Sequence, residues 1–186
     1  MRWRLAITAA AMAAVLTAGG LYAETAPQKV VDLANQELVK LGTDPVVVAA
    51  VKAQNAAGKS LDDIKAMDKK WRNTPGVADF MQALMDSDCG RHLRRFQSEN
   101  GYVAEIFVMD NQGANVAMTD KTSDYWQGDE AKFIESFNGG SGAVFVGDFA
   151  FDESAQAYLV QVSVPVRDDG AVIGAVTIGI DVDKMK

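Results

Sequence analysis

The chain has 186 residues, 48% hydrophobic and 23% charged, with 16 glycines and 4 prolines, the balance of an ordinary globular protein and not of a disordered or low-complexity one. A formal net charge of -7 leaves no basic footprint with which to hold a nucleic-acid backbone or an anionic membrane surface. One cysteine, Cys89, and one histidine, His92, exclude a disulfide framework, a CxxC redox pair and a multi-Cys/His zinc site.

Residues 1–23 carry two arginines, Arg2 and Arg4, then an uncharged apolar run from Leu5 to Gly20, then Leu-Tyr-Ala before Glu24. These are the n-region, h-region and small-residue cleavage site of a secretory signal peptide. The run of 16 residues would be about 24 Å long as a helix, short of the ~30 Å hydrocarbon core, so cleavage is expected rather than anchoring. Loss of this segment leaves 16 basic and 25 acidic side chains, an acidic exported protein without stable membrane insertion. With a lone cysteine in an oxidising compartment, the fold must stand on packing alone.

Residues 24–76 have the spacing of helices. Val30, Leu33, Ala34, Leu38 and Leu41 recur three or four apart before Gly42. Asp44-Pro45 opens a second helix that runs to Ala57, and Ser60 opens a third with Ile64, Met67 and Trp71 on one face. A fourth is expected from Val77 through Phe80, Met81, Leu84 and Met85 towards Phe96, with Gly90 as its weak point. After Gly101 the period becomes two. Strands are expected over 102–109 and 114–119, joined by a tight turn at Asp110-Asn-Gln-Gly113, and then over 143–151, 156–167 and 171–181. A loop and a helix over about 129–137 separate the second strand from the third.

The fold class expected is α+β, with N-terminal helices packed on a five-stranded antiparallel sheet formed by residues 77–186. Tyr158, Val160, Val162, Val164 and Val166 alternate with Leu159, Gln161, Ser163, Pro165 and Arg167, while Val172, Val176, Ile178 and Ile180 alternate with Ile173, Ala175, Thr177, Gly179 and Asp181. One face is bulky and apolar, the other small or polar. The polar face is either wet or roofed by residues 120–137. In the second case the N-terminal helices cover the apolar face, and a small ligand fits between roof and sheet.

At this point the chain resembles the Cache (PDC, PAS-like) extracellular sensor domains of bacterial receptors, in the single-module form. The resemblance spans about Val77 to Met185. It is carried by the hairpin Met109-Asp-Asn-Gln-Gly, by Asp124-Tyr-Trp-Gln-Gly-Asp-Glu130, and by Val162-Ser-Val-Pro-Val-Arg-Asp-Asp-Gly170 followed by Ile173-Gly-Ala-Val-Thr-Ile-Gly-Ile-Asp181. It implies a PAS-like sheet, a periplasmic location, a small polar ligand, no cofactor, and signal transduction to a membrane receptor or histidine kinase. In members that bind amino acids, an aspartate matching Asp181 holds the amino group, and aromatic residues matching Tyr125 and Trp126 wrap the ligand. The arginine that precedes a Trp-Tyr pair in that subgroup is replaced by Asp124, so an amino-acid ligand is not implied. Such receptors continue into a second membrane helix and a signalling module, and this chain is expected to be a free-standing secreted relative.

The candidate ligand residues are Asp124, Tyr125, Trp126, Lys132, Asp148, Gln161, Thr177 and Asp181. Tyr125 and Trp126 either stack on a ligand or anchor the core. Asp181 is either a pocket residue or an exposed strand end. Asp124 and Asp148, with Asp129, Glu130 and Asp152, suit an ammonium group or a hard cation, although the EF-hand order of acids is absent. Lys132 and Arg167 are the cations placed to meet a carboxylate. Cys89 and His92 stand three apart without a carboxylate partner in the pattern. No Ser/His/Asp arrangement, phosphate loop or dinucleotide fingerprint is present, so a catalytic role is not expected. The alternative to a sensor is an interaction or assembly factor that keeps the fold without a ligand, and a small enzyme of the same shape is the third reading.

Overall fold

A computed structural model describes residues 25–152 and 155–185; the expected signal peptide lies outside them. Six α-helices and five strands follow in order: α1 (Gln28–Gln36), a 3-10 segment (Leu38–Thr43), α2 (Pro45–Ala56), α3 (Leu61–Arg72), α4 (Asp79–Met85), α5 (Asp88–Glu99), β1 (Val103–Met109), β2 (Asn115–Met118), α6 (Ala131–Phe137), β3 (Phe145–Asp152), β4 (Ala157–Asp168) and β5 (Ala171–Ile180). The helix starts follow from their caps. Asp44 Oδ1 accepts from the Val46 amide at 2.8 Å ahead of Pro45, and Ser60 accepts from Asp63 N at 3.2 Å. Asp62 and Asp63 in the first turn of α3, with Lys69, Lys70 and Arg72 in its last, match the helix dipole.

The fourth expected helix is two helices. The break falls at Ser87, whose Oγ accepts from Gly90 N at 2.9 Å and starts α5 afresh. Gly90, expected as the weak point, lies in the first turn of α5. The first helix likewise stops at Gln36 and continues as the 3-10 segment.

The sheet is antiparallel throughout, in the order β2-β1-β5-β4-β3. Its last strand therefore enters beside the first, and α6 crosses one face between the two halves. The other face carries Ile106, Val108, Val160, Val162, Val164, Val176, Ile178 and Ile180. Against it pack Val30 and Ala34 of α1, Leu38 and Leu41 of the 3-10 segment, Val47 and Val51 of α2 and Leu93 of α5. Each fully buried aliphatic side chain there contributes about 1.5–3 kcal/mol.

Two features depart from the simple alternation. Helices α3 and α4 do not join that core. Ile64, Trp71 and Met81 pack with Phe107, Met109, Met118, Tyr125 and Phe133 on the opposite side of the sheet. A bulge between Val166 and Arg167 shifts the register against β5 and exchanges the sides of two residues. Ile173 packs against the apolar core, whereas Val172 lies against Gly142, on the side of α6. Among the described residues no helix is long and apolar enough to cross a membrane.

Candidate functional site

Cross-strand register arranges the polar face in rows. Glu105, Gly179 and Gln161 stand side by side on β1, β5 and β4, and Phe107, Thr177, Ser163 and Phe145 form the next row. Gly179 makes the first row workable. A Cβ there would stand 2.8 Å from Glu105 Cγ and 2.9 Å from Leu159 Cδ1, so only glycine lets the Glu105 side chain lie across β5 towards β4. Gln161 Nε2 then donates to Asp152 Oδ2 at 2.6 Å and, more weakly, towards Glu105 Oε1 at 3.5 Å. In the second row the Ser163 and Thr177 hydroxyls share a hydrogen bond of 2.7 Å, fully buried.

Helix α6 roofs this face. Phe133 and Ser136 are buried, and the Lys132 side chain is only 11% exposed, with Nζ 2.9 Å from Glu130 Oε2 and 5.2 Å from the centroid of the Phe107 ring. Between the start of α6 and strands β3 and β4 the small residues Gly147 and Ala150 leave a cleft of about 360 Å³. Glu130, Lys132, Asp148, Asp152 and Gln161 supply its polar groups, and Phe145 and Phe151 line it as well. It combines apolar walls with a few convergent polar side chains, the usual make-up of a small-molecule site.

Three of the eight candidate ligand residues meet in this cleft, Lys132, Asp148 and Gln161, together with Glu130 and Asp152 of the acids that suit an ammonium group. Thr177 belongs to the same face but is buried under its bond to Ser163. The others stand elsewhere. Tyr125 is a core anchor, 3% exposed, its ring 5.6 Å from that of Trp71 and its hydroxyl accepting from Lys59 Nζ at 3.3 Å. Trp126 donates through Nε1 to Gln112 O at 2.7 Å, and Lys65 Nζ sits 4.8 Å over its ring. With Asp124, which meets Arg72 Nε at 3.4 Å, Trp126 lines a separate, polar hollow. Asp181 caps the short turn Val182–Lys184, accepting from Asp183 N at 3.2 Å and pairing with Lys184 at 2.8 Å. The hydrogen bond from Lys184 holds its carboxyl below the usual range. Arg167 donates to the carbonyls of Ser141 and Gly142 at 3.2 Å and pins the loop behind α6.

Sequence reasoning missed Glu105 and Asp68. Glu105 is an acid inside the apolar run Val103–Met109, which is the signal that could have found it. Asp68 is buried although it lies among the charges of α3. Its Oδ1 accepts from the Tyr125 and Trp126 amides at 3.0 and 3.2 Å, and Trp71 Nε1 donates to Thr122 O at 2.8 Å. Helix α3 therefore seats the loop that leads into the roof. On the far face, burial pushes the Cys89 thiol up to about 12 and keeps it protonated, while His92 Nε2 is 2.9 Å from Asp44 Oδ2, a carboxylate partner that the sequence pattern did not show. Among the described residues no group of three or more His, Cys, Asp or Glu side chains is placed to hold a metal ion.

No protein-family model matches the chain, and no curated protein is similar to it. Among solved structures it is similar to the sensory domain of the Campylobacter jejuni chemoreceptor Tlp3 (CcmL), at 16% identity and a TM-score of 0.42 over 83% of this chain and 64% of that one. It is also similar to the sensor domain of the V. cholerae histidine kinase DctB, at 14% identity and a TM-score of 0.38 over 82% of this chain and 57% of that one. The chain spans less than two thirds of the length of each. At these TM-scores no residue is carried over from either, and the site rests on its own geometry.

Proposed function

We propose that the protein is an exported, non-catalytic sensor module of Cache/PDC type that binds a small polar molecule and presents its bound state to a membrane receptor or histidine kinase. The observation that carries this reading is the cleft of about 360 Å³ under α6, with Lys132, Asp148 and Gln161 converging on it. The Arg-flanked apolar run of residues 1–23 supports export, and intact mass of periplasmic material is expected to begin at Glu24. Cys89, buried and protonated, offers no nucleophile.

The test is a thermal-shift screen of the purified protein against small amines, acids and polar metabolites, followed by calorimetry on hits. Binding that raises the unfolding temperature and is lost in Gln161→Ala, with that variant still folded, supports the reading. Hits indifferent to Gln161 and Lys132 substitution would move the site elsewhere. The interaction-factor reading draws on a different feature, the groove of about 630 Å³ beside Val46, Ala49 and Ala53 on α2. It predicts a protein partner whose binding is lost on Ala53→Arg and unaffected by Gln161→Ala.

A further inference from the structure

We infer that the cleft selects a ligand carrying a positive charge and no carboxylate, an alkyl- or arylalkyl-ammonium ion. This rests on the cleft being the ligand site and adds the chemical class. The reason lies in the donors and acceptors along its walls. Only two of the described side chains lining it carry an N–H or O–H group, Lys132 and Gln161. Both are spent on the protein's own carboxylates. The Lys132 ammonium lies 2.9 Å from Glu130 Oε2 and over the Phe107 ring, and the Gln161 amide nitrogen donates 2.6 Å to Asp152 and 3.5 Å towards Glu105.

The walls carry three carboxylates to one ammonium, and aromatic carbon besides. The carboxylates of Glu130, Asp148 and Asp152 line the cleft together with the rings of Phe145 and Phe151. A ligand carboxylate would have to displace Glu130 from Lys132 and would then stand among like charges. An ammonium group brings three donors to a site rich in acceptors, and aromatic faces add a cation–π attraction. A zwitterionic amino acid gains the first interaction but brings a carboxylate without a free side-chain donor to meet it.

The experiment compares three molecules that share one phenylethyl body: 2-phenylethylamine, L-phenylalanine and 3-phenylpropionate, titrated calorimetrically into the folded protein at fixed ionic strength. The amine is expected to bind at least tenfold more tightly than either of the others. Asp148→Asn, an exposed position that leaves the core untouched, is expected to weaken the amine severalfold with an unchanged unfolding midpoint. Equal or tighter binding of the propionate or of phenylalanine overturns the inference, and if that binding requires Gln161, the sensor reading stands without it. If none of the three binds while other screen hits need Gln161 and are anionic or zwitterionic, the inference again falls alone. Absence of any Gln161-dependent ligand overturns both.

Discussion

Replacing Asp68 with alanine removes the seat of the loop that leads into the roof, and the structure sets the size of the effect. The carboxylate is 5% exposed and accepts the Tyr125 amide at 3.0 Å and the Trp126 amide at 3.2 Å. Tyr125 is buried, so its N–H is left without an acceptor at a cost of about 1–3 kcal/mol, while the half-buried Trp126 amide loses a charge-assisted bond of about 1.5 kcal/mol. The ion pair to Arg72 at 2.9 Å adds less than about 1 kcal/mol, because the Arg72 side chain is 59% exposed. Together these amount to about 2.5–5.5 kcal/mol, or roughly 5–22 °C in unfolding temperature for a chain of this size. Asp68→Asn keeps one acceptor oxygen and is expected to lose about half as much. Urea unfolding gives the stabilities, and hydrogen exchange at the Tyr125 and Trp126 amides is expected to accelerate in the alanine variant before the sheet amides do. An alanine variant within 1 kcal/mol of the parent, or an asparagine variant as damaged as the alanine one, refutes this account of how the loop is held.

Gly179→Ala pushes a Cβ to 2.8 Å from Glu105 Cγ and is expected to cost about 1–2 kcal/mol net of the gain from stiffening the unfolded chain; in a Glu105→Ala background the same change is expected to cost less, with only the Leu159 Cδ1 contact at 2.9 Å left to relax, as a double-mutant cycle will measure. Cys89→Ser is expected to fold, at a cost of order 1 kcal/mol, and because burial pushes the native thiol up to about 12, disulfide reagents at pH 8 are expected to label it only at the rate of unfolding. Lys184 holds the Asp181 carboxyl below its ordinary value, so the stability it contributes is present above the unfolded-state value near pH 4 and is lost as pH falls through the lower native one. Asp181→Asn is therefore expected to be less stable than the parent at pH 7, with the difference closing in acid unfolding curves below about pH 4.

Much of the architecture was legible in local pattern. The alternation of Val160, Val162 and Val164 with Gln161, Ser163 and Pro165 assigned the two faces of β4 correctly, because side-chain direction in a strand has a period of two whatever packs against it. The caps Asp44 and Ser60 placed the starts of α2 and α3, since capping is a contact within four residues. The same reasoning failed at Val172 and Ile173, where a bulge set by the pairing of β4 with β5 reversed the alternation. It also ran one helix through Ser87, although the cap from Ser87 to Gly90 N is as local as those of Asp44 and Ser60.

The candidate site was legible in part and for a similar reason. Lys132, Asp148 and Gln161 could be singled out because each is a polar residue on the roof helix or on a strand of the polar half. Tyr125 and Trp126 carry the same sequence signal as ligand-stacking residues, yet α3 draws Tyr125 into the core through Trp71 and binds the amides of both to Asp68. Length, charge, the single cysteine, the apolar run of residues 5–20 and the order of helices and strands are properties of the chain itself, so the sequence alone determined the class of fold and the kinds of chemistry open to it. Which carboxylates meet in one cleft, which cation is already neutralised there, and where a glycine must lie to let Glu105 cross β5 were decided only by tertiary structure, because each depends on contacts between residues tens of positions apart whose proximity no local pattern encodes.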